Sequence, residues 1–132
     1  MLTQQNTNDI YILGDGDQVR SKVEYYLFTY QLEDLTSFSQ HLIQAVEEVK
    51  TLAISTMKAQ VIMAGGDDIL LCVHKEDYLI SHVQKLSEVF FDTSGVTISF
   101  GVGNTVETAY LNLRKAKISK TSKIIEEEPS SG

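Results

Sequence analysis

The order of apolar patterns in this chain predicts an α+β domain of the ferredoxin-like class, and three observations carry that prediction. Short strand-like runs and stretches of helical period succeed one another as β-α-α-β-β-α-β-α. The second and third strand-like runs are separated only by Gly65-Gly66-Asp67-Asp68. That is a hairpin signal, because glycine accepts the positive φ that tight turns require. A strand, a crossover, a hairpin, a second crossover and a strand make the split β-α-β arrangement, with a mainly antiparallel sheet and helices on one face.

The elements follow in order. Ile10 to Gly14 is the first strand. Val19, Val23, Leu27 and Tyr30, then Leu35, Phe38, Leu42, Val46 and Val49, recur at helical spacing, so Gln18 to Leu52 is helical with a break near Asp34. Ala59 to Ala64 and Ile69 to His74 are the hairpin strands. Leu79, Val83, Leu86 and Phe90 mark a helix that stops near Ser94-Gly95. Val96 to Val102 is the fourth strand. Val106, Ala109, Leu113 and Ala116 mark the last helix, with Thr105 as its N-cap and Glu107 in its first turn. Residues 1–125 form one domain, and 126–132, which hold the only proline, read as a disordered acidic tail.

Composition narrows the function classes. The chain has 132 residues, 42% of them hydrophobic, enough for one core. No run approaches the roughly 20 apolar residues of a membrane span. The polar start, Met1 to Asp9, lacks a signal pattern, so the chain is expected in the cytoplasm with no direct membrane binding. The single cysteine, Cys72, allows no internal disulfide and lies in an apolar run as an inert thiol. A net charge of −7 excludes a nucleic-acid footprint over the whole surface. Yet five of the 11 basic residues, Arg114, Lys115, Lys117, Lys120 and Lys123, fall in one segment. That segment is either a solvated face or one set against a phosphate-bearing ligand. The histidines, His41, His74 and His82, have no zinc spacing, and no P-loop or nucleophilic serine elbow is present.

The acidic residues carry the chemistry. Asp67 and Asp68 crowd the hairpin tip, and Gly14-Asp15-Gly16-Asp17 ends the first strand. The predicted topology lays that strand beside the hairpin and brings the two motifs together. Phosphate chemistry with a metal needs hard oxygen ligands and open positions. Asp15, Asp67 and Asp68 supply the carboxylates, and the Gly16 carbonyl can join them. Two ions about 3.5–4 Å apart would clamp the attacking and leaving oxygens of an in-line displacement. Asp17 either faces away from Asp15 or caps the next helix. Either motif alone is an ordinary turn more often than a metal site. An EF-hand is excluded, since the loop lacks the later glycine and closing glutamate. Gly16, Asp17, Gln18 and Val19 open the first helix, whose free amides can receive a triphosphate. Arg20 and Lys22 stand close by, and Arg114, Lys117 and Lys120 share one face of the last helix or its end.

With these residues the chain resembles the palm-type nucleotide cyclases and polymerases. The blocks Gly14-Asp15-Gly16-Asp17, Ala64-Gly65-Gly66-Asp67-Asp68 and Val96-Thr97-Ile98-Ser99-Phe100-Gly101-Val102 match in order. Ala109-Tyr110-Leu111, leading to Lys115-Ala116-Lys117, resembles the last helix of diguanylate cyclases. Asp68-Ile69 replaces the Glu-Phe of those enzymes. Their Asn-Asp-x-x-Gly-His guanine series and Arg-x-x-Asp inhibitory motif are missing. The Gly-Gly-Asp-Asp form is similar instead to the palm of the large type III CRISPR subunit, and a free-standing palm of this size resembles the minimal CRISPR polymerase family. The resemblance implies a nucleotidyltransferase in anti-phage signalling, making a cyclic dinucleotide (cyclic di-AMP from two ATP) read by a separate membrane effector. Asp15, Asp67 and Asp68 are then catalytic and hold two Mg²⁺ or Mn²⁺ ions. Gly65 and Gly66 lie against the nucleotide, and Lys117 and Lys120 hold the β,γ-phosphates. Joining two nucleotides calls for a homodimer. Linear or cyclic oligoadenylates, a cyclic mononucleotide, and a nucleotide-binding palm without turnover are the alternatives.

Overall fold

The computed structural model describes residues 8–126. Its elements are β1 (Asp9–Gly16), α1 (Val19–Phe28), α2 (Leu32–Met57), β2 (Gln60–Gly65), β3 (Asp68–His74), α3 (Ile80–Ser94), β4 (Ile98–Gly103), α4 (Val106–Ile118) and β5 (Ile124–Glu126). A single 3-10 turn, Lys75–Asp77, leads from β3 toward α3. The sheet order is β2-β3-β1-β4-β5. Its first four strands are antiparallel neighbours, as the ferredoxin-like reading requires.

The sheet is built on period-two burial. Ile10 and Ile12 of β1, Ile69, Leu71 and Val73 of β3, and Ile98, Phe100 and Val102 of β4 join one core. Val46, Val49 and Met57 from α2 and Val83, Leu86 and Phe90 from α3 cover that face. Their spacing of three, four and seven or more residues is a helical stripe. α3 stops where expected, because Gly95 takes a left-handed φ of 80° as its cap. Thr105 caps α4, accepting from the Thr108 amide at 3.0 Å.

Three features depart from the sequence reading. First, the helices occupy both faces. α4 lies on the side opposite α2 and α3, over β1, β4 and β5, and its buried Ala109, Leu113 and Ala116 are outside the main core. Glycines allow this. A Cβ on Gly101 would lie 2.1 Å from the Ala109 carbonyl oxygen and the Leu113 amide nitrogen, and one on Gly103 would lie 2.6 Å from Thr108 Cγ2. Buried Asn112 fixes the helix by donating its Nδ2 to the Val102 carbonyl at 2.7 Å.

Second, the sheet is mixed. β5 adds a fifth strand parallel to β4, with Phe100 opposite Ile124 and Val102 opposite Glu126. Glu126 therefore belongs to the domain and not to the tail, and Tyr78 donates its hydroxyl to it. The remainder of the expected tail, 127–132, lies outside the described residues. Third, the break between the first two helices falls at residues 29–31, before Asp34. Tyr30 turns the chain with φ 55°, and Glu33 and Asp34 then sit in the first turn of α2, where carboxylates favour the helix dipole.

Candidate functional site

The site forms where β1 ends beside the β2–β3 turn. Asp15 is directly opposite Asp68 on one side and Ser99 on the other. The Gly16 amide donates to the Asp67 carbonyl at 3.0 Å, so the hairpin tip is tied to β1 by backbone. Gly66 has φ +59°, while Asp67 has no positive φ, the pattern of a type II′ turn. Gly16 permits the approach, since a Cβ there would meet Val19 Cγ2 at 3.0 Å and Asp67 Oδ2 at 3.1 Å. Each of Asp15, Asp67 and Asp68 thereby offers one carboxylate oxygen within 4.8 Å of the others.

Lys117 comes up from α4 beneath this cluster. Its Nζ lies 2.9 Å from Asp15 Oδ2 and 2.9 Å from Asp17 Oδ1. It also donates to the Asp15 and Gly16 carbonyls at 3.0 and 2.8 Å. Asp17 is buried, faces β4, and accepts from Thr97 Oγ1 at 2.6 Å and Ser99 Oγ at 2.7 Å. Lys123 stands 3.8 Å from its other oxygen.

Lys117 and the more distant Lys123 cannot balance four carboxylates, and the titration pattern follows from that. Burial works against the charged Lys117, but its bonds to Asp17 and Asp15 outweigh that and raise its pKa. Burial raises Asp15 and Asp17, yet the hydrogen bonds they accept leave both below the usual carboxylate range. Burial and the charge of Asp15 push Asp67 up. The hydrogen bond with Asp15, burial, and the charges of Asp15 and Asp67 push Asp68 up to about 7. Below about pH 7, with no other cation present, Asp68 is therefore favoured to keep a proton beside Asp15.

That has a measurable consequence. A carboxyl raised above its unfolded value stabilises the fold at low pH, and the contribution disappears as pH rises through the folded pKa. The metal-free protein should lose thermal stability between pH ~4 and ~7, and Asp68→Asn should flatten that fall and raise Tm at pH 8 by about 2–4 °C, a figure discounted for the exposure of this carboxyl. Thermal melts in chelator across pH 4–8 read both effects. Added Mg²⁺ should raise Tm more at pH 8 than at pH 6, because it competes with the shared proton.

The acids form the floor of a groove of about 660 Å³. Gln18, Arg20 and Ser21 at the start of α1 make one wall, and Tyr110, Arg114 and Lys117 of α4 make the other. Gly65 and Gly66 precede the two hairpin acids in the chain but do not line the groove, and nothing lies within 4 Å of where a Cβ on either would sit. Of the expected site residues, Asp15, Gly16, Gln18, Asp67, Asp68 and Lys117 are brought together. Asp17 is not on the groove, nor does it cap α1, whose N-cap is Gln18. The Gly16 and Asp17 amides are already bound, the latter to Thr97 O at 2.8 Å, so only the first-turn amides of α1 are left to meet an anion. Lys120 is exposed beyond the end of α4 and does not line the groove. Lys22 turns to α2, its Nζ 5.3 Å from the Phe38 ring centroid. Sequence reasoning missed Thr97 and Ser99 as the holders of Asp17. Their signal was the polar alternation in Val96-Thr97-Ile98-Ser99-Phe100, read only as strand character.

A ferredoxin-like sheet with carboxylates gathered at the end of its first strand and at its hairpin tip defines a polymerase- and cyclase-like palm. The sequence matches the family described as the minimal CRISPR polymerase domain, mCpol, over residues 11–126, and the chain belongs to that family. Among solved structures it is similar to the crystal structure of the Csm1–Csm4 cassette in complex with cA4, with a TM-score of 0.72 and 13% identity. The match covers 91% of this chain and 21% of that one, so the chain spans about a fifth of the length of its neighbour. An identity that low carries the fold alone. No curated protein matches the sequence. Among the described residues no helix is long and apolar enough to cross a membrane.

Proposed function

We propose that the chain is a divalent-metal-dependent nucleotidyltransferase that joins two ATP molecules into a cyclic dinucleotide, a signal in antiviral defence read by a separate effector. The observation that carries this reading is the convergence of Asp15, Asp67 and Asp68 to within 4.8 Å in a palm of the mCpol family. The residues fit a hard cation such as Mg²⁺ or Mn²⁺: all three donors are carboxylate oxygens, and the cluster is short of positive charge. When bound, the cation neutralises the acids and stabilises charge on the reacting phosphate.

The chain's own groups do the rest. The α1 amides and Arg20 receive the triphosphate. Arg114, with no ion-pair partner among the described residues, faces it from α4. Lys117 sets the position of Asp15 and adds charge at the groove floor, while Lys120, exposed beyond the end of α4, does not line the groove. Among the described residues each chain has one acidic floor, so a second copy presents the second nucleotide. A second reading keeps the chemistry and changes the product to a cyclic oligoadenylate; its support is the likeness in fold to part of a Csm1–Csm4 cassette solved in complex with cA4.

Incubation with each NTP and Mg²⁺ or Mn²⁺, followed by mass identification of products, separates these. A cyclic dinucleotide is expected from ATP, with two pyrophosphates released per ring. Absence of product and of pyrophosphate with every NTP and both metals would overturn the proposal.

A further inference from the structure

A second cleft, of about 680 Å³, opens on the other side of the Asp17–Gln18 segment. Tyr25 and Tyr26 of α1 line it with Phe91 from the end of α3, and Lys22 and Lys123 border it. Asp67 and Asp68 do not reach it. The helix that forms its wall is short of a packing partner: α1 buries none of its residues. Tyr25 is 58% exposed and Phe91 49% exposed at the cleft. Tyr25 and Tyr26 hold each other edge to face, with centroids 5.8 Å apart, and Tyr26 leans on Phe38 at 6.1 Å. The aromatic wall is therefore braced from behind while one side stays open.

Charge selects the occupant. Asp17 is the one acid in the lining among the described residues. Its oxygens are already filled by Thr97, Ser99 and Lys117. The positive charge bordering the cleft is that of Lys22, whose Nζ also lies 5.3 Å from the Phe38 ring centroid, and of Lys123, 3.8 Å from Asp17 Oδ2, on a chain whose net charge is −7. A concave site with open ring faces and cationic edges fits a planar base that carries phosphate. No free carboxylate is there to hold a cation, so the ligand needs no metal.

We propose that this cleft is a second, metal-independent nucleotide site, with the base against Tyr25 and Phe91 and the phosphate at Lys22 and Lys123. Gln18 lines both this cleft and the acidic groove, at the strained αL junction (φ 57°) that starts α1. Occupancy of one site thus bears on the first turn of helix that faces the other. The proposed activity enters only in the choice of ATP and the reaction product as probes.

Equilibrium dialysis or calorimetry of the full chain in EDTA tests it, with ATP, the isolated product and inorganic triphosphate as ligands. One nucleotide per chain should bind without metal. Tyr25→Ala combined with Phe91→Ala should weaken it by about tenfold or more. Lys123→Ala should weaken it and lessen its salt dependence. These side chains are exposed, and circular dichroism checks that the variants fold. The Asp67→Asn, Asp68→Asn variant should retain this binding. Tighter binding of product than of ATP would assign the site to product, and the reverse to substrate. Loss of all nucleotide binding in EDTA, its loss in the aspartate variant, or triphosphate binding as well as ATP would overturn the proposal. If metal yields no product but EDTA-resistant binding persists, the enzymatic reading falls and this site stands.

Discussion

Asp67→Ala should fold normally and lose product formation by at least about 10³-fold, the scale expected when a site loses a group that acts mainly on the transition state. The stability half of this expectation comes from the backbone. The Asp67 contact that ties the hairpin to β1 is its carbonyl, which accepts from Gly16, and alanine keeps it. The lost carboxylate is one that burial and the charge of Asp15 already disfavour. Removing it relieves repulsion, so Tm should hold or rise by a degree or two. Pyrophosphate release and a thermal melt on the same preparation read the two halves together. A gain in stability with loss of activity is the mark of a functional acid cluster. Full activity in this variant would sink the assignment of Asp67 as a metal ligand. Collapse of Tm would show that the carboxylate supports the fold instead.

What was legible in the sequence divides along physical lines. Strands β1 to β4 and the hairpin were readable because their signals are local: short apolar runs, and a Gly-Gly pair that accepts positive φ. The meeting of Asp15 with Asp67 and Asp68 was readable because split β-α-β topology makes β1 and β3 neighbours. The face taken by α4 was not readable, because it depends on Gly101 and Gly103 leaving room for a helix backbone, and glycines within a strand carry no pattern that says so. β5 was missed because three residues, Ile124–Glu126, give no periodicity. The position of Lys117 needed both results at once: only a helix on that face can bring an ammonium under Asp15. Lys120 shared its spacing in sequence, but the helix ends at Ile118, and a spacing argument fails once the helix stops.

Lys117→Met should be the most damaging single change in the site, costing stability as well as activity. Methionine preserves much of the stem but leaves two carboxylates and two carbonyls without the donor they share. Removing one partner of a fully buried ion pair costs about 3–5 kcal/mol. The Lys117 side chain is 27% exposed, and water in the groove can reach Asp15, so the expected cost is reduced. About 2–3 kcal/mol, or a Tm loss near 10 °C, is the expected result in urea or thermal unfolding.

The pH dependence checks the cause. Asp15 and Asp17 have depressed values, so the stability they contribute is present above the unfolded carboxylate range and is lost as pH falls through their folded values. The gap between wild type and Lys117→Met should therefore narrow below pH ~4. Adding Asp17→Asn to Lys117→Met removes one of the stranded charges and should recover part of the lost stability. It should recover none of the activity, because Asp15 remains unheld at the groove floor. Equal Tm values for wild type and Lys117→Met at pH 7 would show that the four contacts contribute nothing to the fold. Recovery of activity in the double variant would show that Lys117 acts only by supporting the structure, with no further part in the chemistry above it.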